Sequence, residues 1–218
     1  MKYFIMFKFT KNEIKDLIIA FIVISLSFAI LYSRRNFNAI LYFFPIAMVG
    51  VGTGFILHEL GHKIAAMKYG YWAEFKLSIQ GLLLALITSF VGFVFAAPGA
   101  VYIYGQFIND EENGIISFAG PIVNIALAFI FLIICTLIYP YAMLNQSYAL
   151  TFVTCSIAFG INSFLAVFNL LPIGNLDGNK ILRWNGIVWV IMIAIAGGLT
   201  AANMTYGTEN IVRILLGI

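Results

Sequence analysis

The stretch Leu57-His58-Glu59-Leu60-Gly61-His62 contains both histidines of this 218-residue chain and lies near the end of a long apolar run. On a helix, residues four apart share a face, so His58 and His62 can direct both imidazoles at one metal ion. Glu59 then lies beside that ion. A carboxylate next to a zinc-bound water can accept its proton and later pass it to a leaving amine. The stretch therefore predicts a zinc site that hydrolyses an amide bond.

The alternative is a purely structural role, because a histidine in an apolar helix is usually a core residue whose ring nitrogens are hydrogen-bonded. Chance placement explains the pair poorly. Roughly one random arrangement in a hundred puts two histidines four apart, and glutamate directly after the first lowers that more than tenfold. Ionisable groups inside a membrane span are also costly and indicate function by default.

Composition sets the class of protein. The chain is 62% hydrophobic and 10% charged, with a mean hydropathy of +1.00, as expected of an integral membrane protein. The net charge of +3 is small and its basic residues are scattered, so no nucleic-acid partner is expected. Cys135 and Cys155 fall inside apolar runs and are interpreted as small buried hydrophobic residues.

The apolar runs predict an α-helical polytopic membrane protein with about five to six transmembrane helices. The predicted spans are residues 17–32, 39–68, 115–139, 149–171 and 187–204. A signal peptide is the alternative for the first, but no small-residue cleavage site follows it. Pro121 is expected close to the first turn of its helix. Asn124 is interpreted as a polar contact between helices, ahead of a catalytic role.

A second informative stretch, residues 169–178, contains Pro172, Gly174 and Gly178 and predicts a broken helix that lines a cavity. Zinc held by two histidines needs a third protein ligand, and no histidine remains. Asp177 is the best candidate by elimination, although without the histidine motif an ordinary Asp-Gly turn would be preferred. Glu74 is the alternative if the third ligand is a glutamate. The acids of residues 109–113 are interpreted as a solvated loop.

Together, His58-Glu59-Leu60-Gly61-His62 and Asn169…Pro172…Asp177-Gly178 resemble the site-2 protease family of intramembrane zinc metalloproteases, and Gly120-Pro121 before a span also fits that pattern. The resemblance implies one zinc ion per chain, held by His58, His62 and Asp177, with Glu59 as the catalytic carboxylate. It further implies that Asn169 helps to hold or polarise the substrate backbone. Many members carry an added PDZ or CBS domain; here residues 1–218 are expected to form a single membrane domain without either.

Two classes of function stay open at this point. The first is a zinc metalloendopeptidase that cuts a transmembrane segment of a membrane protein, as in regulated intramembrane proteolysis. The second is a non-proteolytic membrane protein that binds or transports a metal. A transporter is expected to carry polar residues along several spans, and these runs nearly lack them.

Residues 81–97 are long enough to span the membrane, yet they are predicted to re-enter it. His58 and Asp177 must meet at one metal, so both must lie toward the same face. A full crossing between Lys76 and Gly114 would send Asp177 to the opposite face. The segment is therefore expected to dip in and return as a β-hairpin or a broken helix, offering a strand edge to an unwound substrate.

The basic residues predict which face this is. They precede the first span and follow the metal motif and Asp177: Lys2, Lys8, Lys11, Lys15, Lys63, Lys68, Lys76, Lys180 and Arg183. By the positive-inside tendency, the protein is expected in the cell membrane with its active site toward the cytoplasm. Arg34 and Arg35, which follow the first span, weakly favour the opposite orientation.

Overall fold

The computed structural model describes residues 8–34, 36–105, 107–142 and 144–218. Its elements in chain order are α1 (Lys11–Tyr32), α2 (Phe37–Val51), a π-helical turn (Gly52–Ile56), α3 (Leu57–Lys68), β1 (Trp72–Leu77), α4 (Ile79–Ser89), β2 (Gly99–Tyr104), α5 (Asp110–Ala142), α6 (Gln146–Leu170), α7 (Asp177–Trp184) and α8 (Gly186–Leu216).

Within the described ranges, five helices are long and apolar enough to cross a membrane, which confirms a polytopic helical membrane protein. They are Lys11–Tyr32, Phe37–Lys68, Asp110–Ala142, Gln146–Leu170 and Gly186–Leu216. Polar side chains fix where several of them begin. Thr10 accepts a hydrogen bond from the Glu13 N–H, so α1 starts at Lys11, six residues before the apolar run. Asn185 caps α8 in the same way.

The metal motif lies on α3, the last part of a continuous helical span that also contains α2 and the π-helical turn. Sequence reasoning did not predict that turn. His58 precedes the end of α3 at Lys68 by ten residues, a depth of about 15 Å at 1.5 Å per residue. The motif is therefore placed inside the span and toward one end of it.

The segment after α3 returns to the face from which it starts. β1 and β2 pair antiparallel, with Leu77 opposite Gly99, so the two ends of the chain between them are neighbours. That chain contains α4, which has eleven residues and a length of about 16 Å, too short to cross the hydrocarbon. The re-entrant prediction is thus confirmed in outline. Of the two forms expected for residues 81–97, the structure has the broken helix: the apolar first half is helical, and the two strands flank the segment.

The outer edge of β1 is covered by side chains from α1 and α3. The Lys63 ammonium donates to both Glu13 carboxylate oxygens, 2.7 Å away, and to the Ala73 carbonyl at 2.8 Å. Glu13 accepts from the Phe75 N–H at 3.2 Å, and Asp16 accepts from the Leu77 N–H at 3.2 Å. This edge is therefore unable to pair with another strand.

Two expectations about α5 are wrong. Residues 110–113 are its first turn instead of a solvated loop, because Asn109 Oδ1 accepts from the Glu112 N–H at 2.8 Å. Acidic side chains are favourable at this helix terminus. Pro121 lies well inside α5 and not in its first turn. The helix continues through the proline, packed against α3, α6 and α7.

The helix before Pro172 ends where the proline predicts. α6 ends at Leu170, and after an irregular segment Asp177 opens the short helix α7. The Trp189 indole of α8 donates to the Leu170 carbonyl at 2.8 Å, which satisfies one of the carbonyl groups at the end of α6. α8 extends beyond the predicted residues 187–204 and has a break at Gly207.

Candidate metal centre

Two side chains of α3 and one of α7, from distant parts of the sequence, converge at one point. His58 Nε2 and His62 Nε2 lie 3.0 Å apart, and Asp177 Oδ2 lies 3.4 Å from the first and 3.1 Å from the second. All three residues are buried. Within the described part of the chain, these residues form the one group of three or more potential donors that could hold a metal ion.

The other ring nitrogens determine which tautomers the histidines adopt. His62 Nδ1 lies 2.8 Å from the Ile116 carbonyl oxygen, which can only accept, so this nitrogen carries the proton. His58 Nδ1 lies 2.6 Å from Asn124 Oδ1 and donates to it. Both Nε2 atoms therefore present lone pairs to one point. Two such lone pairs 3.0 Å apart repel unless a cation lies between them.

The spacing fits zinc. Ligand atoms at about 2.0–2.1 Å in a tetrahedral site lie about 3.3 Å from one another, and the three distances here run from 3.0 to 3.4 Å. Two imidazoles and one carboxylate leave a fourth position free, as in catalytic zinc sites. Asp177 supplies the one carboxylate of this set, and its Oδ2 faces both imidazoles.

Glu59 lies in the same cavity as the three donors. Its Oε2 is buried without a hydrogen-bond partner among the described residues, which is costly unless a water, ion or substrate group contacts it. Val101 of β2 lines the same cavity. The cavity thus brings together a donor set for zinc, a carboxylate with one free oxygen, and the edge of a strand.

Proteins with similar sequences have names that fit a zinc site. A protein of Methanocaldococcus jannaschii named a "putative zinc metalloprotease" is 43% identical over 187 residues, which cover 85% of this chain and 91% of that protein. The chain belongs to this family of zinc metalloproteases. Bacillus subtilis YwhC (29% identical; 64% of this chain, 68% of its own) and Mycobacterium tuberculosis Rip2 (25%; 64% and 57%) have the same name. No family model and no solved structure matches the chain.

Of the other residues considered for the site, one lines the cavity and two lie outside the donor group. Asn169 lines the cavity, but its side-chain nitrogen donates to the Leu165 carbonyl at 3.0 Å. Glu74 accepts a hydrogen bond from the Thr10 hydroxyl and lies outside the donor group, so Asp177 is the third donor. Asp110 at the start of α5 lies outside that group as well.

The sequence did not indicate that Gly120 of α5 lies directly against the two histidines. A Cβ atom built there would lie 2.6 Å from His62 Cε1 and 2.7 Å from His58 Cε1. These atoms cannot approach so closely, and any side chain would displace the imidazoles. The Gly120-Pro121 pair and the spacing from Gly120 to Asn124 were visible signals, but their contact with the motif depends on how α5 packs against α3.

Lys180 adds a positive charge to the metalloprotease's centre. Its ammonium lies 3.8 Å from Asp177 Oδ1, the carboxylate oxygen that does not face the histidines. With Oδ1 beside this cation, Oδ2 is directed to the shared point.

Replacing Asn124 with leucine is expected to weaken zinc binding by about 10- to 100-fold, the usual cost of removing a hydrogen-bond partner from a metal-binding histidine. Asn124 is fully buried and holds the His58 ring by its Nδ1 proton. Competition with a chelator on the purified protein measures this affinity. Thr136→Val on the same helix is the control, since its hydroxyl bonds the Leu132 carbonyl. Equal zinc affinity in both variants would contradict the role of Asn124.

Proposed function

We propose that this zinc metalloprotease belongs to the site-2 protease family and hydrolyses a peptide bond in or near a transmembrane segment of a membrane protein. The observation that carries the proposal is the position of the donor group. His58, His62 and Asp177 meet beside Glu59, about 15 Å from the end of a span. A site at this depth acts on chains that are themselves in the membrane.

The residues divide the chemistry among them. When bound, zinc supplies an acidified water and polarises the substrate carbonyl. The free oxygen of Glu59 is placed to accept the proton of that water and to deliver it to the leaving amine. Asn169, one face of which lines the cavity, is proposed to hydrogen-bond the substrate backbone once its bond to Leu165 exchanges.

The sheet offers the substrate one free edge. Phe75 and Val101 are opposite each other, and the Phe75 N–H points away from β2 to Glu13. In an antiparallel pair, the backbone groups of Val101 then point away from β1. That outer edge of β2 lines the cavity with Glu59, whereas the outer edge of β1 is covered. An extended substrate segment is therefore proposed to pair with β2 and so reach Glu59.

Substrate helices are expected to need local unwinding before they are cut. A helical peptide bond has its carbonyl engaged and its backbone shielded, and only an extended segment can pair with β2. Replacing glycine or proline near the cut site of an identified substrate by leucine should slow cleavage. Leucine substitutions one full turn beyond the paired segment are the control. Equal rates throughout the series would argue against unwinding.

The site is proposed to lie toward the cytoplasm. The structure groups the ends of several elements at one face: Thr10 contacts Glu74, and the Tyr71 hydroxyl donates to Glu112 at 2.7 Å. The lysines that follow the metal motif lie at this same face, which the positive-inside tendency assigns to the cytoplasm.

Cysteine labelling tests this orientation in a background that lacks Cys135 and Cys155. Asp110→Cys at the exposed start of α5 is expected to resist a membrane-impermeant reagent added to intact cells. Leu144→Cys is the control, because Leu144 is 82% exposed in the turn at the opposite end of α5 and should label. Labelling of Asp110→Cys but not Leu144→Cys would reverse the orientation.

Co-expression with candidate single-span membrane proteins tests the proposed activity. Wild-type enzyme should convert a substrate to shorter fragments, and Glu59→Gln should leave it intact. Fragments that form equally with both proteins would come from another protease and would count against the proposal.

A further inference from the structure

Asn162 of α6 is connected to the metal centre without lining its cavity. Its side chain is fully buried. The side-chain nitrogen donates to the Ala158 carbonyl of its own helix at 2.9 Å, so Oδ1 points the other way and accepts from Asn124 Nδ2 at 3.2 Å. The amide orientation of Asn162 is thus set within α6, because a flipped amide would place its oxygen against the Ala158 carbonyl.

The orientation of Asn124 follows from that of Asn162. Asn124 Nδ2 donates to Asn162 Oδ1 and also to the Gly54 carbonyl at 2.9 Å. Both acceptors lie on one side of Asn124, so its oxygen faces His58 Nδ1, 2.6 Å away. An oxygen at that place requires the proton of His58 to be on Nδ1, which leaves Nε2 free to bind a metal.

The Gly54 carbonyl, the other acceptor for Asn124, lies in the π-helical turn. Gly54 lies in the turn, and a Cβ atom there would lie 3.1 Å from Asn162 Oδ1 and 3.0 Å from Leu165 Cδ1. The absent side chain lets α6 approach the motif helix closely. π-helical turns occur frequently at functional sites, and here the turn presents a carbonyl to Asn124.

We propose that Asn162 is a positioning residue for the zinc centre: acting through Asn124, it fixes the His58 tautomer that directs Nε2 to the metal. The inference rests on zinc binding by His58, His62 and Asp177. Asn162 touches neither substrate nor metal. The proposed effect on the metal passes through the Asn124 side chain, to which Asn162 is hydrogen-bonded.

Zinc affinity by chelator competition, measured in a two-by-two set of variants, tests this route. Asn162→Ala is expected to weaken zinc binding by about 3- to 10-fold, less than the loss of a direct partner of the histidine. In an Asn124→Leu background, Asn162→Ala should change the affinity no further, because the connection is already cut. A residue that only supports the fold would lower the affinity by the same factor in both backgrounds.

Matched variants keep the outcome interpretable. Ser163→Ala is the control, since that buried hydroxyl donates within its own helix to Gly160 at 3.1 Å, and it should bind zinc like wild type. Asn162→Ser is the second loss variant if Asn162→Ala does not fold, because its shorter side chain cannot reach Asn124. Wild-type protein without zinc binding would refute the metal centre itself. Wild-type affinity in the Asn162 variants, or equal losses in both backgrounds, would overturn this inference alone.

Discussion

Glu59→Gln is expected to lower the cleavage rate by about 10²- to 10⁴-fold, the range for loss of a general acid–base group, while the protein still binds one zinc per chain. Glu59 lines the cavity but is not one of the three donors that meet at 3.0–3.4 Å. Glutamine keeps the size of the side chain and cannot accept the proton of a water. The rate is measured on a purified substrate, and zinc is measured by atomic emission.

A control variant and the zinc content show whether Glu59 acts in the chemistry or binds the metal. Glu111→Gln is the control, since this exposed acid at the start of α5 should change neither zinc content nor rate. Loss of zinc together with activity in Glu59→Gln would make Glu59 a ligand. Retention of both zinc and activity would remove Glu59 from the chemistry.

Asp177→Ala is expected to reduce bound zinc to less than about a tenth of the wild-type content after dialysis against a chelator. The change removes the carboxylate ligand and leaves two imidazoles, which is too few for a stable zinc site. It also leaves Lys180 without the carboxylate 3.8 Å away, so the remaining charge repels the cation. Asp110→Ala is the matched control, because its carboxylate lies outside the donor group. Full zinc occupancy in Asp177→Ala would exclude Asp177 as a ligand.

Much of the fold could be predicted because membrane spans are local features of sequence. A run of about 20 apolar residues identifies a span wherever the rest of the chain lies, and Pro172 with Gly174 identified the break after α6. The starts of α1 and α5 were missed because capping by Thr10 and Asn109 extends helices into polar sequence. The positions of the two strands were left open because their pairing is a contact between distant residues.

In the metal centre, too, residues that a local pattern indicates could be predicted and contacts that depend on helix packing could not. His58 and His62 were predictable because a spacing of four fixes their relation on a helix. Asp177 could be reached by counting ligands. Gly120 and Asn124 were noticeable in the sequence, but the partners of Gly120, Asn124 and Asn162 depend on how α5 and α6 pack against α3 and could not be predicted. The interpretation of Asn124 as a contact between helices was correct but incomplete, since it also holds His58.

The most direct test of intramembrane proteolysis is mass spectrometry of the fragments that the purified, zinc-loaded protein produces from a reconstituted single-span substrate. The proposal predicts one main cut in or near the transmembrane segment, present with wild type and absent with Glu59→Gln. A cut confined to a soluble domain of the substrate, or the same fragments from both proteins, would contradict it.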